Sequence, residues 1–256
     1  MSFIAVTYGY NQFSIFNIKT STQTLIDNIK SVCLSQIVTA LNGRDSSLQK
    51  EIDASQTEEE NIKKLIKTTE QDLKVEEDKE MEEKKKQEEQ EKKEAKNSKT
   101  QKKGKAPPPK KSKKVENETE NKVILGIRDQ LSKLQNDLQN LSNNRAINTN
   151  KKKKLNEILP IFKKKYKNRV NMKIDLVDSK GDKVNISTKA DLYSNEYLVE
   201  KTVYELNWFN EENPDNIVME PLKFDGYCMR SIDDDAKYEE LEKTNTKGKK
   251  PAAKKK

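Results

Sequence analysis

Two stretches of this chain alternate apolar and polar residues as strands do, FIAVTYGYNQFSIFNI at 3–18 and VNMKIDLVDSKGDKVNI at 170–186, and they lie far apart. Neither can hide its own apolar face, because an isolated hairpin is marginal in water. The chain must therefore bring the two together across everything between them. An insertion of that kind works only if its two ends lie close in space. No other feature of the sequence limits the fold as much.

In the first stretch Ile4, Val6 and Tyr8 fall on one face and Phe3, Ala5 and Thr7 on the other. Gly9-Tyr10-Asn11-Gln12 supplies turn residues, and Phe13, Ile15 and Ile18 resume the pattern. Thr20 or Ser21 can cap the helix that follows, whose apolar stripe is Leu25, Ile26, Ile29, Val32 and Cys33. In the second stretch Met172, Ile174, Leu176 and Val177 predict a strand and Asp178-Ser179-Lys180-Gly181-Asp182 a turn. Val184 and Ile186 resume the alternation. The segment ADLYSNEYLVEKTVYELNWFN at 190–210 reads as further strand, ending in Val203, Tyr204, Leu206, Trp208 and Phe209, with the two aromatics as core and edge packing. Hairpin, helix and further strands is the order of a β-grasp, so 1–34 and 170–210 read as two halves of one α+β domain.

Between the halves the period changes. In 35–75, Leu41, Leu48, Ile52, Ile62, Ile66 and Leu73 share one heptad frame, interrupted by Asp45, Ser55, Glu59 and Thr69. In 121–150 the frame is cleaner: Ile124, Ile127, Leu131, Leu134, Leu138 and Leu141 alternate steps of three and four, the seam of a coiled coil. Residues 76–120 form a charged linker or a single helix without an apolar seam, broken at Gly104 and Pro107-Pro108-Pro109. That break lets the chain turn back and zip 41–73 against 124–141 as an antiparallel coiled-coil hairpin. The alternative is that each helix pairs with another protein or a second copy. Residues 151–169 make a basic amphipathic connector in which Pro160 interrupts the helix, and 211–256 an irregular, extended tail with a basic end.

Composition supports one small domain with long helix and linker: 32% of residues are hydrophobic and 37% charged, against roughly 45–50% and 25% in ordinary globular domains. The net charge of +8 is concentrated in lysine blocks. Lys110, Lys111, Lys113, Lys114, Lys151, Lys152, Lys153, Lys154, Lys254, Lys255 and Lys256 are the candidates for an acidic partner, whether nucleic acid, an anionic membrane or an acidic protein tail. The same blocks could equally serve to keep linkers solvated. The chain has no histidine, which removes the commonest general base and metal ligand. Cys33 and Cys228 are too few for a thiolate zinc site and suit a reducing compartment. Asp233-Asp234-Asp235 lacks the spaced, glycine-containing loop of a calcium site and reads as a solvated turn. No catalytic residue, cofactor or metal is expected. Nor is membrane insertion, because no apolar run nears the roughly 18–20 residues of a span.

The blocks TYGYNQFSIFNI with LIDNIK, and IDLVDSKGDKVNI with YSNEYLVEKTVYELN, resemble in sequence and order a small, uncharacterised eukaryotic ubiquitin-like family. Its human member is an X-chromosome open reading frame, and its members are associated with ciliated cells and sperm. The resemblance covers about a third of the chain and implies a ubiquitin-like fold with no catalytic residues; the long helical insertion departs from it. A modifier's free diglycine terminus is not present, since the sequence closes on KKPAAKKK.

The resulting expectation is a non-enzymatic structural protein of the cytoplasm and ciliary axoneme. Its partners would be tubulin, whose tails are acidic, or other axonemal coiled-coil proteins. The competing expectation is a nuclear protein bound to nucleic acid or chromatin, for which KKGKAPPPKKSKK would serve as tail and import signal. Against it, arginine is scarce and the lysine blocks lack interleaved aromatics for stacking.

Overall fold

The alternation at the N-terminus produces strand β1 (Phe3–Tyr8), which buries Ile4, Val6 and Tyr8. Gly9 and Asn11 take left-handed backbone angles, with φ of 60° and 52°, and return the chain as β2 (Gln12–Asn17). A Cβ at Gly9 would also stand 2.5 Å from the Gln12 amide oxygen, so that side chain would have to move to admit one. This computed structural model describes residues 2–99, 122–209, 219–237 and 239, without the side chains of 94–99. The remaining elements are α1 (Thr22–Lys99), α2 (Lys122–Lys167), β3 (Ile174–Val177), β4 (Val203–Phe209) and β5 (Met219–Pro221). The fold is therefore α+β, with a long N-terminal helix and a mixed sheet.

The sheet runs β2-β1-β4-β3, with β5 also paired to β4. β1 and β4 are parallel, Ala5 opposite Val203 and Thr7 opposite Glu205, while β1–β2, β3–β4 and β4–β5 are antiparallel. The two stretches that each lacked a covered face thus join one sheet, β1 of the first and β3 of the second lying on either side of β4. Ser21 caps α1, its Oγ accepting from the Thr24 N–H at 3.3 Å.

Contacts divide the chain into two compact units, Met1–Asp53 with Arg145–Lys256, and Ala54–Asn144. The core of the first unit joins the inner sheet face to Leu25, Ile29, Cys33, Ile37, Leu41 and Leu48 of α1. Leu155, Leu159 and Phe162 of α2 complete it, together with Leu222 and Cys228 of the C-terminal segment. The boundary expected after residue 34 falls inside α1, which continues without a break.

Three local expectations differ from what is found. Val184 and Ile186 do not extend a strand. The buried Asp175 carboxylate takes the N–H groups of Asn185 and Ile186, both at 3.0 Å, Asn185 turns left-handed, and a 3₁₀ turn follows. Residues 190–202 likewise contain a 3₁₀ turn at Ser194–Glu196 and only Val203–Phe209 is strand. Pro160 does not interrupt α2, since it sits on the exposed side, where water can take the carbonyl left without an N–H donor.

In the second unit the heptad frame is visible as shielding. Ile124, Ile127, Leu131, Leu134 and Leu138 are each less exposed than the residues flanking them, and Leu141 is half-buried beside a half-buried Ser142. On α1 the frame holds even at its polar interruptions, for Glu59 and Thr69 are buried alongside half-buried Ile62, Ile66 and Leu73. Thr69 satisfies its hydroxyl by donating to the Leu65 carbonyl at 2.9 Å. Glu77 and Arg128 form an ion pair at 3.0 Å. Leu131→Asp should therefore cost about 1–3 kcal/mol and lower the helical melt, while Gln130→Asp on the exposed side should cost little. Circular dichroism distinguishes the two, and coincident melts would mean that Leu131 fills no seam.

Candidate interaction surface

The lysines of α2 divide by which way the helix turns them. The apolar stripe of Leu155, Leu159 and Phe162 fixes the inner side. Lys151 lies on it, fully buried. Its ammonium meets the Asp235 carboxylate, donates to the Arg230 carbonyl at 3.0 Å and stands 5.3 Å from the Tyr227 ring centroid. Lys152 pairs with Asp45 of α1 at 2.6 Å. Lys154 reaches the Tyr227 ring at 4.7 Å and Asp225 at 3.8 Å. Lys165 lies 3.0 Å from the Trp208 ring centroid, which keeps that half-buried aromatic in the domain.

These geometries correct the expectation that Lys151 and Lys152 serve an outside acid. The periodicity of the helix points both into the domain, where desolvation requires a partner, and the chain supplies its own carboxylates. Lys154 is partly engaged in the same way, and Lys153 is exposed as expected. Lys110, Lys111, Lys113, Lys114, Lys254, Lys255 and Lys256 lie outside the described residues. The surface also includes three lysines not singled out from sequence, Lys163, Lys164 and Lys167, all exposed. Their signal was present: they fall off the Leu155–Leu159–Phe162 stripe.

Two of these carboxylates, Asp225 and Asp235, come from a segment expected to be an irregular extension. Instead β5 pairs with β4, Leu222 and Cys228 are buried, and Phe224 packs edge-on against Phe162 with centroids 5.6 Å apart. Arg44 of α1 holds it from below, donating to the Cys228 carbonyl at 3.1 Å and the Arg230 carbonyl at 2.9 Å while pairing with Glu51 at 2.6 Å. Arg230 donates to the Tyr10 hydroxyl at 3.1 Å. Gly226 lies so close to Tyr10 that a Cβ would come within 1.8 Å of the ring. Asp235 is thus held against α2 by Lys151, while Asp233 and Asp234 stay exposed.

A second surface is the outer face of the sheet. Ile15, Ala5 and Val203 are cross-strand neighbours, as are Phe13, Thr7 and Glu205. Phe13, Ile15 and Val203 remain 64%, 62% and 54% exposed. A cleft of ≈ 450 Å³ opens at the turn end between Phe13 and Lys223. Lys223 pairs with Glu205 at 2.9 Å.

Little reactive chemistry accompanies these surfaces. Burial pushes the Cys33 thiol far up and raises that of Cys228, so both stay protonated near neutrality. Among the described residues no cluster of three His, Cys, Asp or Glu could hold a metal ion. Among them, too, no helix is long and apolar enough to cross a membrane. Comparison with known proteins finds no matching family model, curated protein or solved structure.

Proposed function

We propose that the chain is a non-enzymatic structural and interaction protein, in which a ubiquitin-like domain and a pair of helices form a platform docked on acidic partners. The sorting of the α2 lysines carries this reading: those facing inward are neutralised within the chain, and a separate set is left facing water. A β-grasp is supported by the sheet order, with β1 and β4 parallel at the centre and a helix following the first hairpin. An antiparallel helix pair is supported within the first unit, where Asp45 meets Lys152 and Glu51 meets Asn148, so that rising number on α1 goes with falling number on α2. The heptad shielding in the second unit is consistent with the same pairing.

The resemblance described above directs the choice of partner to the ciliary axoneme and its microtubules, whose tails are acidic. The test is co-sedimentation of the full chain with purified microtubules, together with the position of a tagged copy in a ciliated cell. Salt-sensitive pelleting and axonemal localisation are expected, because exposed charges are screened within roughly 8–10 Å near physiological ionic strength. Nuclear localisation with tight binding to duplex DNA would overturn the reading.

A further inference from the structure

From Lys153 to Lys167, α2 turns Lys153, Lys163, Lys164 and Lys167 to solvent on the side away from Leu155, Leu159 and Phe162. Among the described residues none of these four side chains has an ion pair, hydrogen bond or ring contact within the chain, in contrast to Lys151, Lys152, Lys154 and Lys165. Glu157 is the single acid of the segment. Ile161, 50% exposed, stands about one turn from Lys164, on the flank of the helix opposite Lys163. Lysines near a helix C-terminus complement its dipole, which accounts for Lys164 and Lys167 within the last turn. It accounts neither for Lys153, several turns earlier, nor for an exposed isoleucine among the charges.

The spacing suits an extended chain. Lys163 and Lys167 are one turn apart, about 6 Å on the helix surface. Lys153 and Lys164 lie three turns apart along one line, about 16 Å. Alternate side chains of an extended peptide repeat every ~6.6 Å, so two carboxylates at alternate positions can meet Lys163 and Lys167, with Lys153 left for a more distant residue of the same segment. Ile161 offers nothing to a sugar–phosphate backbone but can seat an apolar side chain. We infer that this outward face of α2 is a docking site for an extended, acidic polypeptide segment carrying an apolar residue. The inference rests on the platform reading above and adds the site and the chemistry of its ligand.

The test uses the full chain and a fluorescein-labelled oligoglutamate with one central leucine, followed by fluorescence anisotropy. Joint reversal Lys153→Glu, Lys163→Glu, Lys164→Glu and Lys167→Glu should weaken binding at least about tenfold, since exposed charges act additively and over short range. The neutral set with Gln at the same positions should weaken it less, and both should melt as the wild type does, because these side chains lie outside the core. Ile161→Ala should lower affinity for the leucine-containing peptide roughly threefold, because a half-exposed side chain has only a small apolar area to bury against a surface-bound peptide, and leave an all-glutamate peptide unaffected. Reversal of Lys110, Lys111, Lys113 and Lys114 should change either by less than about twofold.

Absence of wild-type binding at low salt would overturn the inference, as would an effect below twofold from the four α2 reversals. Tighter binding of charge-matched duplex DNA or phosphatidylserine vesicles through the same four lysines would also overturn it. Peptide binding through the four lysines without sedimentation of the wild-type chain on microtubules would leave the site standing and remove the microtubule reading instead.

Discussion

A chain in which Asp53 is joined to Arg145 by a short Gly/Ser linker and ended after residue 237 should unfold cooperatively, with Trp208 fluorescence reporting the transition. A shorter chain joining 1–34 directly to 168–212 should show no cooperative transition. Both contain the two halves read from the alternation, but only the first retains Ile37, Leu41 and Leu48 of α1, Leu155, Leu159 and Phe162 of α2, and Leu222 and Cys228. Each such side chain is worth about 1.5–3 kcal/mol on burial, so their joint loss is as large as or larger than the about 5–15 kcal/mol that stabilises a typical domain. The junction at 53 and 145 is geometrically short, since Glu51 and Asn148 are hydrogen-bonded at 3.1 Å. A cooperative transition in the shorter chain would mean that the helix–helix part of the core is dispensable.

The second large effect concerns Lys151. Asp235→Ala should cost about 3 kcal/mol, because it leaves an ammonium with no exposed surface next to an uncharged side chain. Lys151→Met should cost much less: the thioether fills the same volume, and Asp235, whose side chain is 20% exposed, can turn to water. The combined variant should resemble Lys151→Met alone. Denaturant midpoints decide the matter. Equal costs for the two single changes would show that Lys151 contributes by packing and that its charge is of no consequence.

The contrast between these two predictions reflects what could be read from residues alone. Strict alternation located β1, β2, β3 and β4, and steps of three and four located the shielded positions of both helices, because each signal is local. The run Lys151–Lys154 looked uniform, yet four consecutive helical residues point in four directions. Continuing the 124–141 frame through Arg145, Asn148, Lys152, Leu155, Leu159 and Phe162 would have turned Lys152 inward. Nothing local, by contrast, marks Leu222 or Cys228 as core, each being an isolated apolar residue among polar ones. The capture of the Asn185 and Ile186 N–H groups by Asp175 is also a tertiary event, and it overrides a sequence that reads as strand. The outward set Lys163, Lys164 and Lys167 was legible as a basic block, but separating it from Lys165 required knowing what lies beneath the helix.

The parallel pairing of Ala5 with Val203 also governs the order of events during synthesis. At about 5–20 residues per second, the N-terminal hairpin leaves the ribosome on the order of 10–40 seconds before its partner strand exists. Over that interval α1 and then α2 can form, since helices close locally, while the inner face of the hairpin has only the first turns of α1 to cover it. Such long-range closure is slow even after release. Ile4, Val6 and Phe16 therefore wait for β4 throughout that interval, and the clamp around Asp235, made from the last described residues, closes after the sheet.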